Sequence, residues 1–182
     1  MWYVIQTHSG EEEKTADIIR KKISSDLVWE CFVPKRERMK KFQGGWNKVE
    51  ELLFHGYVFV VSEKPGELYE ELKGVPKLTK MLGREKDFFF ALEEREMRFV
   101  CGIGDANHKT SLSKVIVSDA KKIQVIDGPL KGYERHIGSV NLHRREVTVK
   151  MELMGRELEL KMGIEMVNGE SDTGFCDAAI KP

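Results

Sequence analysis

Residues 2–6, Trp-Tyr-Val-Ile-Gln, form a short aromatic and β-branched run that ends at a Ser9-Gly10 turn signal. In the EEEKTADIIRKKI stretch that follows, Ala16, Ile19 and Ile23 recur at helical spacing. Acids crowd its first turn and bases its last, as the helix dipole favours. The pattern predicts a strand and then a helix. Residues 29–33 predict a second strand, and 49–54 and 57–61 predict extended segments parted by His55-Gly56. Tyr57, Val58, Phe59, Val60 and Val61 show no polar alternation, which marks a central strand buried on both faces. The intervening PKRERMKKFQGGWNK predicts an exposed hairpin or loop turning at Gly44-Gly45. Leu68, Tyr69 and Leu72 predict a helix that stops at Gly74. An extended segment near 78–82 and a helix over about 91–100 complete one α+β domain, residues 1–104.

The stretch from Gly102 to about Asp119 is richer in Gly, Ser, Asn and Lys, and 105–119 reads as a linker, although 115–117 could pair with a strand elsewhere. Beyond it the period becomes two: Val147, Val149, Met151 and Leu153 alternate with polar residues, as do Leu158, Leu160 and Met162. A turn at Gly155 makes this a hairpin. So short a β segment, residues 120–168, buries an inner face only by closing into a small barrel. Residues 169–182 read as a frayed tail.

Composition first argues against a nucleic-acid partner. The 182 residues carry zero formal net charge, with 41% hydrophobic and 33% charged side chains. The balance is local, however. Lys35, Arg36, Arg38, Lys40, Lys41 and Lys48 face only Glu37 in their segment, while the barrel segment has a basic excess and the tail an acidic one. The neutral sum therefore conceals two basic patches able to approach phosphate, which charge alone does not distinguish from solvated faces.

Catalytic signatures are absent: there is no GxSxG, HExxH or GxxxxGK[ST], and His8, His55, His108, His136 and His143 form no i, i+4 pair. Cys31, Cys101 and Cys176 are odd in number and lack a CxxC spacing, so neither a disulfide framework nor a metal site is expected. No signal peptide or membrane-spanning apolar run is present, and the expectation is a cytoplasmic protein that is not an enzyme and takes no cofactor.

The strongest local signal is Val125-Ile126-Asp127-Gly128-Pro129-Leu130-Lys131-Gly132, followed by Gly138-Ser139-Val140. Asp-Gly-Pro builds a tight turn and Gly132 takes a positive φ without steric cost. This stretch resembles the KOW motif, and MELMGRELEL at 151–160 resembles the closing hairpin of the KOW barrel in NusG-type transcription factors. The opening WYVIQTHSG and LFHGYVFV at 53–60 resemble the first strand and the central strand of the NusG N-terminal (NGN) domain, and the likeness runs to about residue 167. It implies an RRM-like antiparallel sheet with flanking helices joined to a five-stranded SH3-like KOW barrel. It also implies docking on the clamp helices of the large RNA polymerase subunit by an apolar depression around Tyr3, Phe54 and Tyr57. For Tyr57, core packing is an equal alternative.

Two departures from the family pattern carry information. His55 stands where housekeeping members have proline, and Met154 stands where they place a turn aromatic that contacts Rho or a ribosomal protein. With the long basic segment, these features make the LoaP group of operon-specific antiterminators the most similar, and RfaH a more distant relative. The resemblance thus implies an antitermination factor, a monomer, recruited by a leader RNA hairpin through its KOW domain. The alternative is a general NusG whose KOW domain binds Rho or a ribosomal protein. RNA contact is expected from Lys131, Arg135, His136, Arg144, Arg145, Lys150 and Arg156, because Arg grips phosphate or guanine in a planar fork. Lys35, Arg36, Arg38, Lys40 and Lys41 are expected near upstream or non-template DNA.

Overall fold

The computed structural model describes residues 1–75, 78–81, 91–118, 122–167 and 179–180, with 78–81 and 179–180 as backbone alone. Its elements in chain order are β1 (Trp2–Thr7), α1 (Glu12–Lys22), β2 (Glu30–Phe32), β3 (Lys35–Phe42), β4 (Gly45–Leu52), β5 (Tyr57–Val61), α2 (Pro65–Leu72), β6 (Leu78–Met81), α3 (Glu94–Ile103), β7 (Lys109–Thr110), β8 (Ser113–Val117), β9 (Ile123–Asp127), a 3-10 turn at Glu134–His136, β10 (Ile137–Asn141), β11 (Glu146–Leu153), β12 (Arg156–Met166) and β13 (Ala179–Ile180). The chain divides into two compact units: Met1–Pro34 with Phe54–Phe99 and Leu153–Gly155, and Lys35–Leu53 with Val100–Glu152 and Arg156–Pro182.

The first unit holds a sheet of order β2-β5-β1-β6, with β1 antiparallel to β5 so that Tyr3 faces Val60 and Val4 faces Phe59. As its unbroken apolar run requires, β5 is internal, and Val58, Phe59 and Val60 have no exposed surface. On α1, Glu12, Thr15, Ala16 and Ile19 form the buried stripe expected at i, i+3, i+4 and i+7. Phe59 gathers Phe32 and Phe54 at ring-centroid distances of 5.5 and 5.3 Å. One carboxylate then ties two loops together. Glu12, 1% exposed, accepts the Gly56 N–H at Oε1 and the Gly10 N–H at Oε2, both at 2.7 Å. Thr7 N–H donates to Gly56 O at 2.9 Å, so the turn before the central strand is stitched to the one after β1.

The helix expected from residue 91 begins at Glu94, because the Glu96 carboxylate turns back to accept the Glu93 N–H at 2.7 Å and closes the N-terminal end. Its other oxygen accepts the Met154 N–H at 2.6 Å.

In the second unit, β3 and β4 pair from Lys35 opposite Leu52 to Phe42 opposite Gly45, and β7 adds parallel to β3. The turn falls at Gln43-Gly44, one residue before the expected Gly44-Gly45, with φ of 51° and 79°. Two positive φ values make it a type I′ turn, whose twist suits the strands it joins. Met154 and Gly155, grouped with the first unit, have φ of 54° and 69° and build the same turn between β11 and β12.

A six-stranded sheet runs β13-β10-β11-β12-β8-β9. Its β8 lies in the segment read as a linker; Val115 is fully buried and pairs with Val125, so the pairing left open for 115–117 is made. Residue 168 and, within the tail, 169–178 and 181–182 lie outside the described residues, and β13 pairs parallel with β10. The period-two pattern gives way at β12, where Met162, Gly163 and Ile164 are all buried. Here the backbone passes so close to β3 that a Cβ on Gly163 would stand 2.5 Å from Glu37 O and 2.9 Å from Arg38 Cα.

Candidate functional site

At the root of the β3–β4 hairpin, strand pairing neutralises charge that the sequence shows as a basic block. Arg36, 6% exposed, donates to Glu51 at 3.1 Å and to the carbonyl of Lys161, while Arg38 reaches the same carboxylate at 3.2 Å. Burial pulls the Arg36 pKa down, partly offset by Glu51. Glu37 accepts the Leu112 N–H at 3.3 Å and ion pairs from Lys48 and Lys109 at 3.1 Å each. Burial pushes its pKa upward, but the hydrogen bonds from Lys109, Lys48 and Leu112 outweigh that and hold it below the usual carboxylate range. Of the cations expected near DNA, Arg36 and Arg38 are therefore committed to internal pairs, and Lys35 is half-buried with its backbone N–H on His108 O. Lys40 and Lys41 are exposed at the far end, next to Phe42 at 45% exposure.

The cations expected to meet RNA fall at two ends of the β10–β11 pair. Antiparallel register sets Ile137 opposite Val149 and Asn141 opposite Glu146. Arg135, His136 and Lys150 consequently share one end, and Lys131 is exposed in the loop leading to it. Exposed Arg156 opens β12 after the Met154-Gly155 turn, and Lys150 reaches Glu157 on that strand at 3.6 Å. Arg144 and Arg145 sit in the turn at the opposite end, about 13 Å away along β10 at the usual rise per residue.

Arg145 is no simple surface cation. It holds φ of 52°, an uncommon left-handed conformation for a residue with a side chain, and its carbonyl accepts the Ile164 N–H at 2.9 Å. Its guanidinium carbon stands 4.2 Å from the centre of the Trp46 ring, and its Nε is buried without a hydrogen-bond partner among the described residues. Trp46 was not singled out as a site residue by the sequence reading. An aromatic beside a glycine turn within a lysine-rich segment is the signal that could have found it.

Tyr3 and Phe54 are each 2% exposed and belong to the core of the first unit. Burial raises the Tyr3 phenol pKa, and its hydroxyl meets Met1 Sδ at 3.7 Å. Tyr57 is half-buried and keeps solvent access. In the same unit, Arg20, Ile23, Ser25, Val28, Trp29, Glu30 and Cys31 line a pocket of about 310 Å³. Burial pushes the Cys31 thiol up to about 12. Among the described residues no cluster of His, Cys, Asp or Glu could hold a metal, and no helix is long and apolar enough to cross a membrane.

Residues 1–100 match the family model described as transcription termination factor nusG. The chain is similar to the transcription termination/antitermination protein NusG of Thermus thermophilus, 25% identical over 178 residues covering 91% of this chain and 96% of that one. With NusG of Haemophilus influenzae it shares 26% over 168 residues, covering 89% and 91%. Among solved structures, one titled "Domain interaction in Thermotoga maritima NusG" has 23% identity, covers 89% of this chain and 92% of its own, and gives a TM-score of 0.49.

Proposed function

Because this chain belongs to the NusG family of transcription termination and antitermination factors, we propose that it is a specialised member of the LoaP kind, an antiterminator recruited to RNA polymerase by a leader RNA hairpin. In this reading residues 1–104 are an RRM-like NGN domain that docks on the polymerase clamp helices, and 120–168 are the SH3-like KOW domain that binds RNA. Tyr57 meets the clamp helices directly, while Tyr3 and Phe54 shape the sheet from within. The hairpin stem is held by Lys131, Arg135, His136, Lys150 and Arg156 at one end of β10–β11, with Arg144 and Arg145 as further contacts. Lys40 and Lys41 extend toward upstream or non-template DNA. The factor acts in the cytoplasm as a monomer.

The observation carrying the RNA half is the set of exposed cations gathered by the β10–β11 register. An A-form stem offers closely spaced phosphates but a major groove too narrow to read, so protruding cations on a small scaffold suit it. Gel-shift titration of the full chain against leader RNA tests this reading. A stem bound at least ten-fold more tightly than a scrambled one, with loss in Arg135→Gln, is the expected result; equal binding removes hairpin recruitment. Elongation assays with purified polymerase, with and without the hairpin, test the polymerase half.

A further inference from the structure

We infer that Trp46 and Arg145, with Lys41 and Arg144, form a stacking site for an unpaired nucleobase, so that this unit binds single-stranded nucleic acid at the end of β10–β11 remote from Lys131 and Arg135. Three observations converge. First, Arg145 is pinned: the Ile164 N–H holds its carbonyl, its φ is 52°, and its guanidinium lies 4.2 Å from the Trp46 ring centre. A residue kept in a sparsely populated conformation points to a function for what that conformation presents. Second, the Nε of Arg145 is buried and has no hydrogen-bond partner among the described residues, so among these residues the pair is incomplete as a purely internal contact. Third, cations surround it. Lys41 stands directly opposite Trp46 across the hairpin and therefore on the same face, and the Arg144 side chain is 62% exposed, with only a long 3.9 Å approach to Glu146.

An aromatic ring capped by a planar cation and edged by flexible cations suits a single strand: the base supplies a π face and the backbone supplies phosphate. A duplex keeps its bases stacked inside and can use only the cations. The site shares Arg144 and Arg145 with the proposed hairpin contacts and Lys41 with the proposed DNA contacts, and it adds to them Trp46 and a stacked base.

The test is fluorescence anisotropy of the full chain with labelled 12-mers: single-stranded DNA, single-stranded RNA and a DNA duplex. Trp46→Leu should weaken single-strand binding roughly ten-fold and leave duplex binding nearly unchanged, while Trp46→Phe keeps affinity within about three-fold. Arg145→Lys should lose as much as Trp46→Leu, since lysine keeps the charge without the plane. Lys41→Gln should flatten the single-strand salt slope by about 0.7. If Trp46→Leu does not fold, Arg145→Lys and Lys41→Gln decide. Single-strand binding unchanged in Trp46→Leu or in Arg145→Lys, or lost equally with duplex binding, overturns the site. A preference between the DNA and RNA arms identifies the displaced DNA strand or the transcript as the natural source. Arg135→Gln separates the two readings, because it should abolish hairpin binding and leave the single-strand arms intact.

Discussion

Replacing Glu12 by Ala should loosen the first unit at the turn that leads into its central strand. The carboxylate makes two short, charge-assisted bonds, to the N–H groups of Gly10 and Gly56 at 2.7 Å. Each bond to a charged group contributes about 1.5–3 kcal/mol, and a buried donor left unpaired costs about 1–3 kcal/mol. Gly10 is exposed and recovers a water, whereas the Gly56 bond is buried and its donor does not. The expected loss is thus about 2–4 kcal/mol. Glu12→Gln keeps one accepting oxygen but sets an amide NH₂ against the other N–H, so it should fall between wild type and Glu12→Ala. Urea unfolding followed by the fluorescence of Trp2 and Trp29, both in this unit, in a Trp46→Phe background measures the change. Since Gly56 precedes Tyr57, polymerase binding should weaken in parallel. A Glu12→Ala chain within 0.5 kcal/mol of wild type, or a Gln variant no better than Ala, would refute the bridge.

Gly163→Ala should destabilise the second unit by about 1–3 kcal/mol, because its Cβ meets Glu37 O and Leu112 Cδ2 at 2.5 Å; chemical denaturation reads the loss. The depressed pKa of Glu37 means its stabilisation is present above the ordinary value of 4.5 and is lost as pH falls through the lower folded value; acid unfolding of Glu37→Gln should show less pH dependence below about 4.5. Cys31, with its thiol near 12, should resist iodoacetamide at pH 8, where only about one in ten thousand is thiolate, while exposed Cys101 reacts at least a hundred-fold faster by peptide mapping; comparable rates would contradict the burial of Cys31.

Much of the architecture was legible in the sequence because its causes are local. Hydrophobic spacing and terminal charges set α1, the apolar run of Tyr57–Val61 marked an internal strand, and alternation up to a glycine turn marked the β11–β12 hairpin. Those signals need only neighbours within a few residues. The family too was readable from the order of short motifs. The pairing of 115–117 stayed open in the sequence because Ser113–Val117 is too short to declare itself without the strands beside it.

The candidate site was legible in composition but not in assignment. Arg36 and Lys41 look equivalent along the chain, yet strand register gives one to Glu51 and leaves the other exposed. Likewise Lys131 and Arg145 both read as basic loop residues, while antiparallel pairing sends them to opposite ends of two strands. The Arg145 contact with Trp46 joins positions 99 residues apart, and the closeness of β12 to β3 is announced only by a glycine. The sequence by itself determined most of the strands and helices, which family they compose and that cations occur in two blocks. Tertiary structure alone decided which cations are available to a ligand, because pairing, burial and stacking are made between residues that the chain keeps far apart.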